Sequence, residues 1–253
     1  MSFDNDLLKP DWPVPANVRA LSTTRVGGVS QAPWASLNLG EHVGDNPDHV
    51  RTNRQRLADA SGLHPDRIGW LKQVHGTDVV ELAPATVAKV PTADASFTRH
   101  PGMVCAILTA DCLPVIVSDE EGTVVGAAHA GWRGLCNGVI ENLVTAMAVE
   151  PTRLRAWLGP AIGPTHFEVG AEVRDAFLTA DPAAASAFHT SGARPGHLMA
   201  DIYALATQRL NRLGITTVSG GGLCTVSDNT RFFSYRRDGQ TGRMATLVWL
   251  AGS

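Results

Sequence analysis

Three short strings concentrate the chemistry of this chain: Gln73-Val74-His75-Gly76, Thr109-Ala110-Asp111-Cys112-Leu113-Pro114 and His129-Ala130-Gly131-Trp132-Arg133-Gly134. Each sets one metal-capable side chain, His75, Cys112 or His129, at the end of an apolar run or at a glycine turn. Two imidazoles and a thiolate are a normal donor set for a catalytic zinc ion, which keeps its fourth position open for water or substrate. The long gaps between the strings argue against a zinc finger. Structural zinc sites draw paired ligands from tight knuckles, and the chain has neither a C-x-x-C nor an H-x-x-x-H pair. A metal held by these three would sit where the fold gathers strand ends. Buried cysteine and hydrogen-bonded histidine are also ordinary core residues, so spacing alone leaves a purely structural role open.

The neighbouring residues extend the chemistry. Gly131-Trp132-Arg133-Gly134 precedes a helical pattern, so backbone N–H groups and Arg133 either converge at a helix N-terminus suited to an anion or leave Arg133 as a surface residue in a tight turn. Arg25-Val26-Gly27-Gly28 is a second candidate anion loop, since glycines let backbone amides approach an oxyanion closely. Asn38, in Ser36-Leu37-Asn38-Leu39-Gly40, offers a side-chain amide to a bound ligand. Asp111 either orients a histidine ligand or serves as a general base, and Asp94 could do either job from an adjoining loop. Arg236, Arg237 and Arg243 read equally well as ligand contacts or as ion-paired surface groups. No H-x-E accompanies a P-C-x-x-C, which removes the common zinc deaminase framework. Neither G-x-S-x-G nor a P-loop lysine motif occurs.

Together with Ser22-Thr23-Thr24-Arg25-Val26-Gly27-Gly28-Val29-Ser30 and the Asn38 string, the three strings resemble the YfiH-like family. That family has been described as laccase-domain or polyphenol-oxidase proteins and as purine nucleoside phosphorylases. The similarity continues through Trp157-Leu158-Gly159-Pro160-Ala161-Ile162-Gly163 and Phe167-Glu168-Val169-Gly170. It closes on Phe232-Phe233-Ser234-Tyr235-Arg236-Arg237-Asp238 and Thr241-Gly242-Arg243-Met244-Ala245, so it covers nearly the whole chain. The resemblance implies a β-sandwich core with helices outside, Zn2+ on His75, Cys112 and His129, and a purine nucleoside substrate. Two reactions are implied: phosphorolysis of adenosine, inosine, guanosine and methylthioadenosine, and deamination of adenosine. Catalysis then falls to Cys112 and Asp111, with Arg25, Asn38 and Arg133 on the nucleoside and phosphate. A different class remains open, a cysteine hydrolase with Cys112 as nucleophile and His129 or His75 as base, cleaving an amide in a cell-wall peptidoglycan precursor. A non-catalytic metal-binding partner protein is a third reading. A laccase needs many histidines in H-x-H pairs, and nine scattered histidines with no such pair speak against the older label.

These residues need a scaffold, and 253 residues with 44% hydrophobic and 18% charged content can bury one substantial core. The formal charge of −3, with no clustered basic face, gives no footprint for nucleic acid. Apolar runs of about 8 to 10 residues fall far short of the roughly 20 that cross a bilayer. The acidic start, residues 1–6, lacks the order of a secretory signal. Four cysteines make no disulfide framework in a chain this long, so a cytoplasmic protein with reduced thiols is expected, as a monomer or weak homodimer.

With no linker or repeat, residues 1–253 read as a single catalytic domain. Helical periodicity covers Asp48 to Ala60, Leu135 to Val149, Glu172 to Ala180 and Ala200 to Leu213. Strand-like runs occupy Val79-Leu82, Met103-Thr109, Val115-Val117, Thr123-Ala128, Arg155-Leu158, Thr216-Ser219, Arg231-Tyr235 and Met244-Leu250. The pattern predicts an α+β (mixed α/β) fold rather than a doubly wound sheet. Met103-Thr109, Val115-Val117 and Thr123-Ala128 lie too close for helical crossovers and predict antiparallel hairpins. Leu113-Pro114 is expected to stop regular pairing. If Met103-Thr109 and Thr123-Ala128 are sheet neighbours, Cys112 and His129 emerge at one edge.

Overall fold

The computed structural model describes residues 7–87, 89–190 and 192–252, so the acidic start, residues 1–6, lies outside it. Its strands are β1 (Val18–Ser22), β2 (Ile68–Gly69), β3 (Val79–Glu81), β4 (Ala95–Thr98), β5 (Val104–Thr109), β6 (Leu113–Asp119) and β7 (Val125–Ala130). They continue with β8 (Leu154–Leu158), β9 (Glu168–Gly170), β10 (Phe188–His189), β11 (His197–Ala200), β12 (Thr217–Gly220) and β13 (Met244–Leu250). The α-helices are α1 (Pro47–Ser61), α2 (Trp132–Asn137), α3 (Val139–Met147), α4 (Ala171–Ala180), α5 (Ile202–Leu213) and α6 (Tyr235–Asp238). Three mixed or antiparallel sheets form, in the orders β1-β13-β5-β2, β12-β8-β6-β7-β4-β3 and β10-β11-β9.

The two larger sheets pack face to face. In β5, Cys105 and Ile107 face Ile116 of β6 and Val125 and Ala127 of β7, while Val104, Ala106 and Leu108 point the other way, toward Leu57 and Ala58 of α1. On the far side of the six-stranded sheet, Val115, Val117, Ala128 and Ala130 meet α2, α3 and α5. The result is helix, sheet, sheet, helix. Strands buried on both faces read as unbroken apolar runs, which is why β5, β6 and β7 show no polar alternation.

The helix ends follow local chemistry. Asn46 accepts the Asp48 N–H at 2.9 Å, Pro47 opens α1, and Gly62 closes it at φ 64°. Asp201 accepts from the Tyr203 and Ala204 N–H groups to start α5.

Several expectations are corrected. The stretch Leu135 to Val149 is not one helix: Gly138, at φ 99°, ends α2 and starts α3, although Leu135, Val139, Leu143 and Met147 all reach the same core. Arg231-Tyr235 is not a strand. Asp228 accepts the Arg231 N–H and Ser234 caps α6, and such side-chain bonds compete with a ladder, while Phe232 and Phe233 are wholly buried. Pairing does not stop at Leu113-Pro114. Pro114 sits within β6, opposite His129, just past the last residue of β8 in register, so its missing N–H costs no ladder bond. Finally, β5 and β7 belong to different sheets. The hairpin is β6–β7, and the chain passes from one sheet to the other through Ala110–Cys112, with Asp111 at φ 88°.

Candidate active site at the sheet-to-sheet corner

That corner brings the three metal-capable side chains together. The donor atoms of His75, Cys112 and His129 all lie within 4.8 Å of one another. Cys112 Sγ is 3.8 Å from His75 Nε2, and the two imidazoles meet edge to face at 4.7 Å between centroids. Cys112 reaches the group because β6, which follows it, lies beside β7, which ends next to His129. His75 arrives from a loop that Gln73 fastens to β5. The Gln73 amide donates to the Leu108 carbonyl and accepts the Leu108 N–H, both at 2.8 Å, as an extra strand would.

Asp94 organises the group. Its carboxylate is fully buried and accepts the N–H groups of Val74 (3.0 Å), His75 (2.9 Å) and Gly76 (2.7 Å). It also accepts Nδ1–H of His129 at 2.8 Å. A carboxylate can only accept here, so Nδ1 of His129 carries the proton and Nε2 is left for the cluster. Burial would raise the Asp94 pKa, but the bonds from His129, Gly76 and Val74 outweigh it and hold it down at about 2. The same carboxylate keeps His75 at φ 61°, a left-handed conformation unusual for a side-chain-bearing residue. Burial also opposes charge on Cys112 and His129, yet each stabilises the other's ion, with the thiol lowered to about 6 and the imidazole raised to about 9. Gly131 makes room: a Cβ there would stand 3.0 Å from His75 and 3.1 Å from the Cys112 sulfur.

The donor set fits a single metal ion. The 3.8 Å separation of Cys112 Sγ from His75 Nε2 suits bonds of about 2.0 to 2.3 Å meeting at near-tetrahedral angles. His129 is buried, Cys112 half-buried and His75 exposed, so the open side faces a cleft of ≈ 460 Å³. Trp132, Phe167, Tyr235 and Ile162 give its walls apolar surface, and Arg133, Arg236, Arg243 and His42 give them positive or protonatable groups. Arg133 is exposed, stacks its guanidinium 4.4 Å from the Trp132 ring centre, and makes no hydrogen bond or ion pair among the described residues. Arg236 donates to the His166 and Glu168 carbonyls. Burial pulls the Arg243 pKa down, while Cys112 and Asp111 push it back up, which places its charge beside the cluster. Burial and the Arg243 charge also lower the pKa of His42.

The remaining sequence candidates are placed differently. Asp111 meets no histidine. Its carboxylate accepts Thr225 Oγ1 (2.6 Å), Ser234 Oγ (3.1 Å) and the Arg236 N–H (2.6 Å), which ties α6 to the corner; Asp94 is the residue that orients a histidine. Arg25 spends its guanidinium on the carbonyls of Ala35 and Asn229 and stacks on Phe233, away from the cleft-lining residues. Asn38 is wholly buried, accepts the Arg243 N–H at 2.9 Å, and bonds to Gly40 and Asp45. A Cβ on Gly40 would strike the Arg243 side chain at 2.8 Å. The Asn38-Leu39-Gly40 string is thus a seat for Arg243. Sequence reasoning passed over His42, Phe167 and Tyr235 as cleft residues, and nothing in their spacing marks them.

Comparison with known proteins agrees with this architecture. A family model described as "Multi-copper polyphenol oxidoreductase laccase" matches residues 19–251. A Pseudomonas aeruginosa protein named purine nucleoside phosphorylase is 57% identical over 97% of this chain and 99% of its own length. The Escherichia coli K12 purine nucleoside phosphorylase YfiH is 54% identical over 96% and 98%. The crystal structure of a Neisseria meningitidis protein superposes with a TM-score of 0.92 at 52% identity, over 98% of this chain and 100% of that one. YlmD from Geobacillus stearothermophilus gives 0.87 at 32%, over 94% and 93%. No described helix is long and apolar enough to cross a membrane. By sequence over nearly its full length, and by fold, the chain belongs to the YfiH-like family.

Proposed function

We propose that this chain is a zinc-dependent purine nucleoside phosphorylase that also deaminates adenosine. The observation that carries the reading is the His75–Cys112–His129 group on the floor of a cleft walled by arginines and aromatic rings. The names of its close relatives support the phosphorylase activity. His75 Nε2, Cys112 Sγ and His129 would hold the ion. A zinc ion so held supplies a Lewis acid with one position open to the cleft. Asp94 keeps His129 in the tautomer that presents Nε2 and holds its ring still. Arg133, its guanidinium stacked on Trp132, and Arg243, close to the cluster, bind phosphate as a fork binds two oxygens. A phosphate oxygen then attacks C1′ of the ribose, and the N9–C1′ bond breaks with its electron pair going to the purine. The purine takes up the proton that phosphate gives up and leaves against Trp132, Phe167 or Tyr235. Adenosine, inosine, guanosine and methylthioadenosine share the groups this requires. Asp111 acts by holding the Arg236 backbone to the corner.

A multi-copper oxidase is a poorer fit. It needs several copper centres, and among the described residues one group of three such donors lies close enough to hold an ion. The cysteine-hydrolase reading has one observation behind it, the Cys112 thiol lowered to about 6 beside two imidazoles. One experiment separates the two. The purified chain is incubated with adenosine, with and without phosphate, before and after chelation, and adenine, hypoxanthine and inosine are followed. Phosphate-dependent adenine release that is lost on chelation and restored by zinc supports the proposal. Undiminished adenine release in metal-free protein would overturn the zinc reading, and alkylation-sensitive cleavage of an amide in a peptidoglycan precursor by that protein would support the hydrolase.

A further inference from the structure

Behind the cleft wall the chain pairs a second thiol with an imidazole. Cys224 forms a parallel bridge with Ala161, held by the Thr225 N–H on the Ala161 carbonyl at 3.0 Å. Its Sγ accepts the N–H groups of Gly163 (3.2 Å) and Ser227 (3.5 Å) and lies 3.7 Å from His166 Nδ1. The hydroxyls of Thr165 (3.0 Å) and Ser227 (3.4 Å) also reach that nitrogen. Among the described residues every hydrogen-bond contact of the sulfur is a donor or an imidazole, and no carboxylate hydrogen-bonds to it. Both Cys224 and His166 are half-buried, reachable by a small molecule.

The other thiols differ. Cys105 is sealed between the sheets, where burial pushes its thiol up to about 12, and Cys136 is 9% exposed with its thiol also raised by burial. Cys112 belongs to the metal group. Burial acts against the Cys224 thiolate as well, but the hydrogen bonds from Ser227 and Gly163 prevail and lower its pKa. Thiolate character together with access defines a reactive cysteine.

We propose that Cys224 is a second reactive thiol, a site of covalent oxidation by hydroperoxides assisted by His166 and independent of the metal cluster. The proton of the thiol passes to His166, leaving thiolate and imidazolium. The thiolate sulfur attacks one peroxide oxygen, an S–O bond forms and the O–O bond breaks. Sulfur loses two electrons, and the departing hydroxide takes the proton back from His166 to leave as water. The product is a sulfenic acid, which a low-molecular-weight thiol reduces again. The site is coupled to the cleft through the next residue, because Thr225 holds Asp111 through its hydroxyl and Arg237 through its carbonyl. Arg236, in the cleft wall, also donates to the His166 carbonyl.

The test exposes the purified full chain to hydrogen peroxide at pH 7 with dimedone present and maps the label by mass spectrometry. Cys224 is expected to label well ahead of Cys105 and Cys136, and several-fold faster than the same cysteine in urea-unfolded chain. His166→Asn, which keeps a polar side chain but cannot relay the proton, should slow labelling several-fold and shift its pH profile. His166→Gln serves as the second variant if His166→Asn melts early. Labelling at Cys224 no faster than in the unfolded chain, or an unchanged rate and pH profile in a folded His166 variant, would overturn the proposal.

Discussion

The floor and the rim of the cleft are built by opposite rules. On the floor, Asp94 accepts three backbone N–H groups and an imidazole, Gln73 fastens the His75 loop to β5, and Gly131 yields the space the cluster fills. The Asp94 carboxylate accepts four hydrogen bonds and the Gln73 amide makes two. On the rim, Arg133 rests on Trp132 without a hydrogen-bond partner among the described residues, and Tyr235 is 61% exposed. A preorganised floor suits chemistry that must be in place before substrate arrives, and a looser rim suits groups that close on it. The second thiol, Cys224, follows neither rule, since it has an imidazole beside it but, among the described residues, no carboxylate behind that imidazole.

The division can be broken most severely at the floor. Cys112→Ala should lower phosphorolysis and deamination together by more than about a thousandfold, the scale of the several kcal/mol a Lewis-acid metal supplies. Zinc content should fall in step, while the melting temperature stays near that of the metal-free wild type. An unfolded variant at room temperature would make the cluster structural and erase the contrast with the rim.

On the rim, Arg133→Ala should split the two reactions. Losing a charge-assisted hydrogen bond of about 1.5 to 3 kcal/mol weakens phosphate by roughly tenfold to more than a hundredfold. Deamination, which uses no phosphate, should hold its rate. Equal losses in initial-rate assays of both would move Arg133 to the nucleoside.

Asp94→Asn tests whether the floor works through orientation. The variant should lose about ten- to a hundredfold in zinc affinity, as measured by competition with a chelator. Unchanged affinity would show that the three donors need no support from behind.

The smallest effect is one of acid stability. The Asp94 carboxylate sits at about 2 in the folded chain against 3.8 ordinarily, so its ionised form stabilises the fold above about pH 4. That contribution is lost as the pH falls from about 4 toward 2, because the unfolded chain takes up the proton first. In metal-free protein, the melting-temperature gap between wild type and Asp94→Asn should therefore narrow across that window. A constant gap would mean that the Asp94 charge does not stabilise the floor.

Much of the scaffold was readable from composition and period. Strand β13 lies where Met244-Leu250 predicts it, and α1 begins and ends on the proline and glycine that mark it. The misreadings share a cause. Gly138 breaks a helix whose apolar stripe continues unbroken, because packing on one core sets the stripe and one glycine sets the kink. Phe232 and Phe233 have strand-forming side chains, but Asp228 and Ser234 bind the local backbone first. The pairing of Asn38 with Arg243 spans most of the chain, so a local reading saw only an amide available to ligand.

By itself, the sequence determined the residue types on which the site depends: two histidines, a cysteine, an acid, and arginines set among glycines and aromatic residues. It also determined the family, because ordered strings across the chain carry that information without coordinates. Tertiary structure alone decided which residues share the site. The crossing at Asp111 from one sheet to the other sets Cys112 beside His129 and turns the Asp111 carboxylate toward α6. Long-range folding likewise gave the histidine-orienting role to Asp94, set Arg133 on the cleft rim beside Trp132 and buried Asn38. The physical reason is that a polar side chain's role is fixed by the partners that satisfy it, and here those partners come from distant segments.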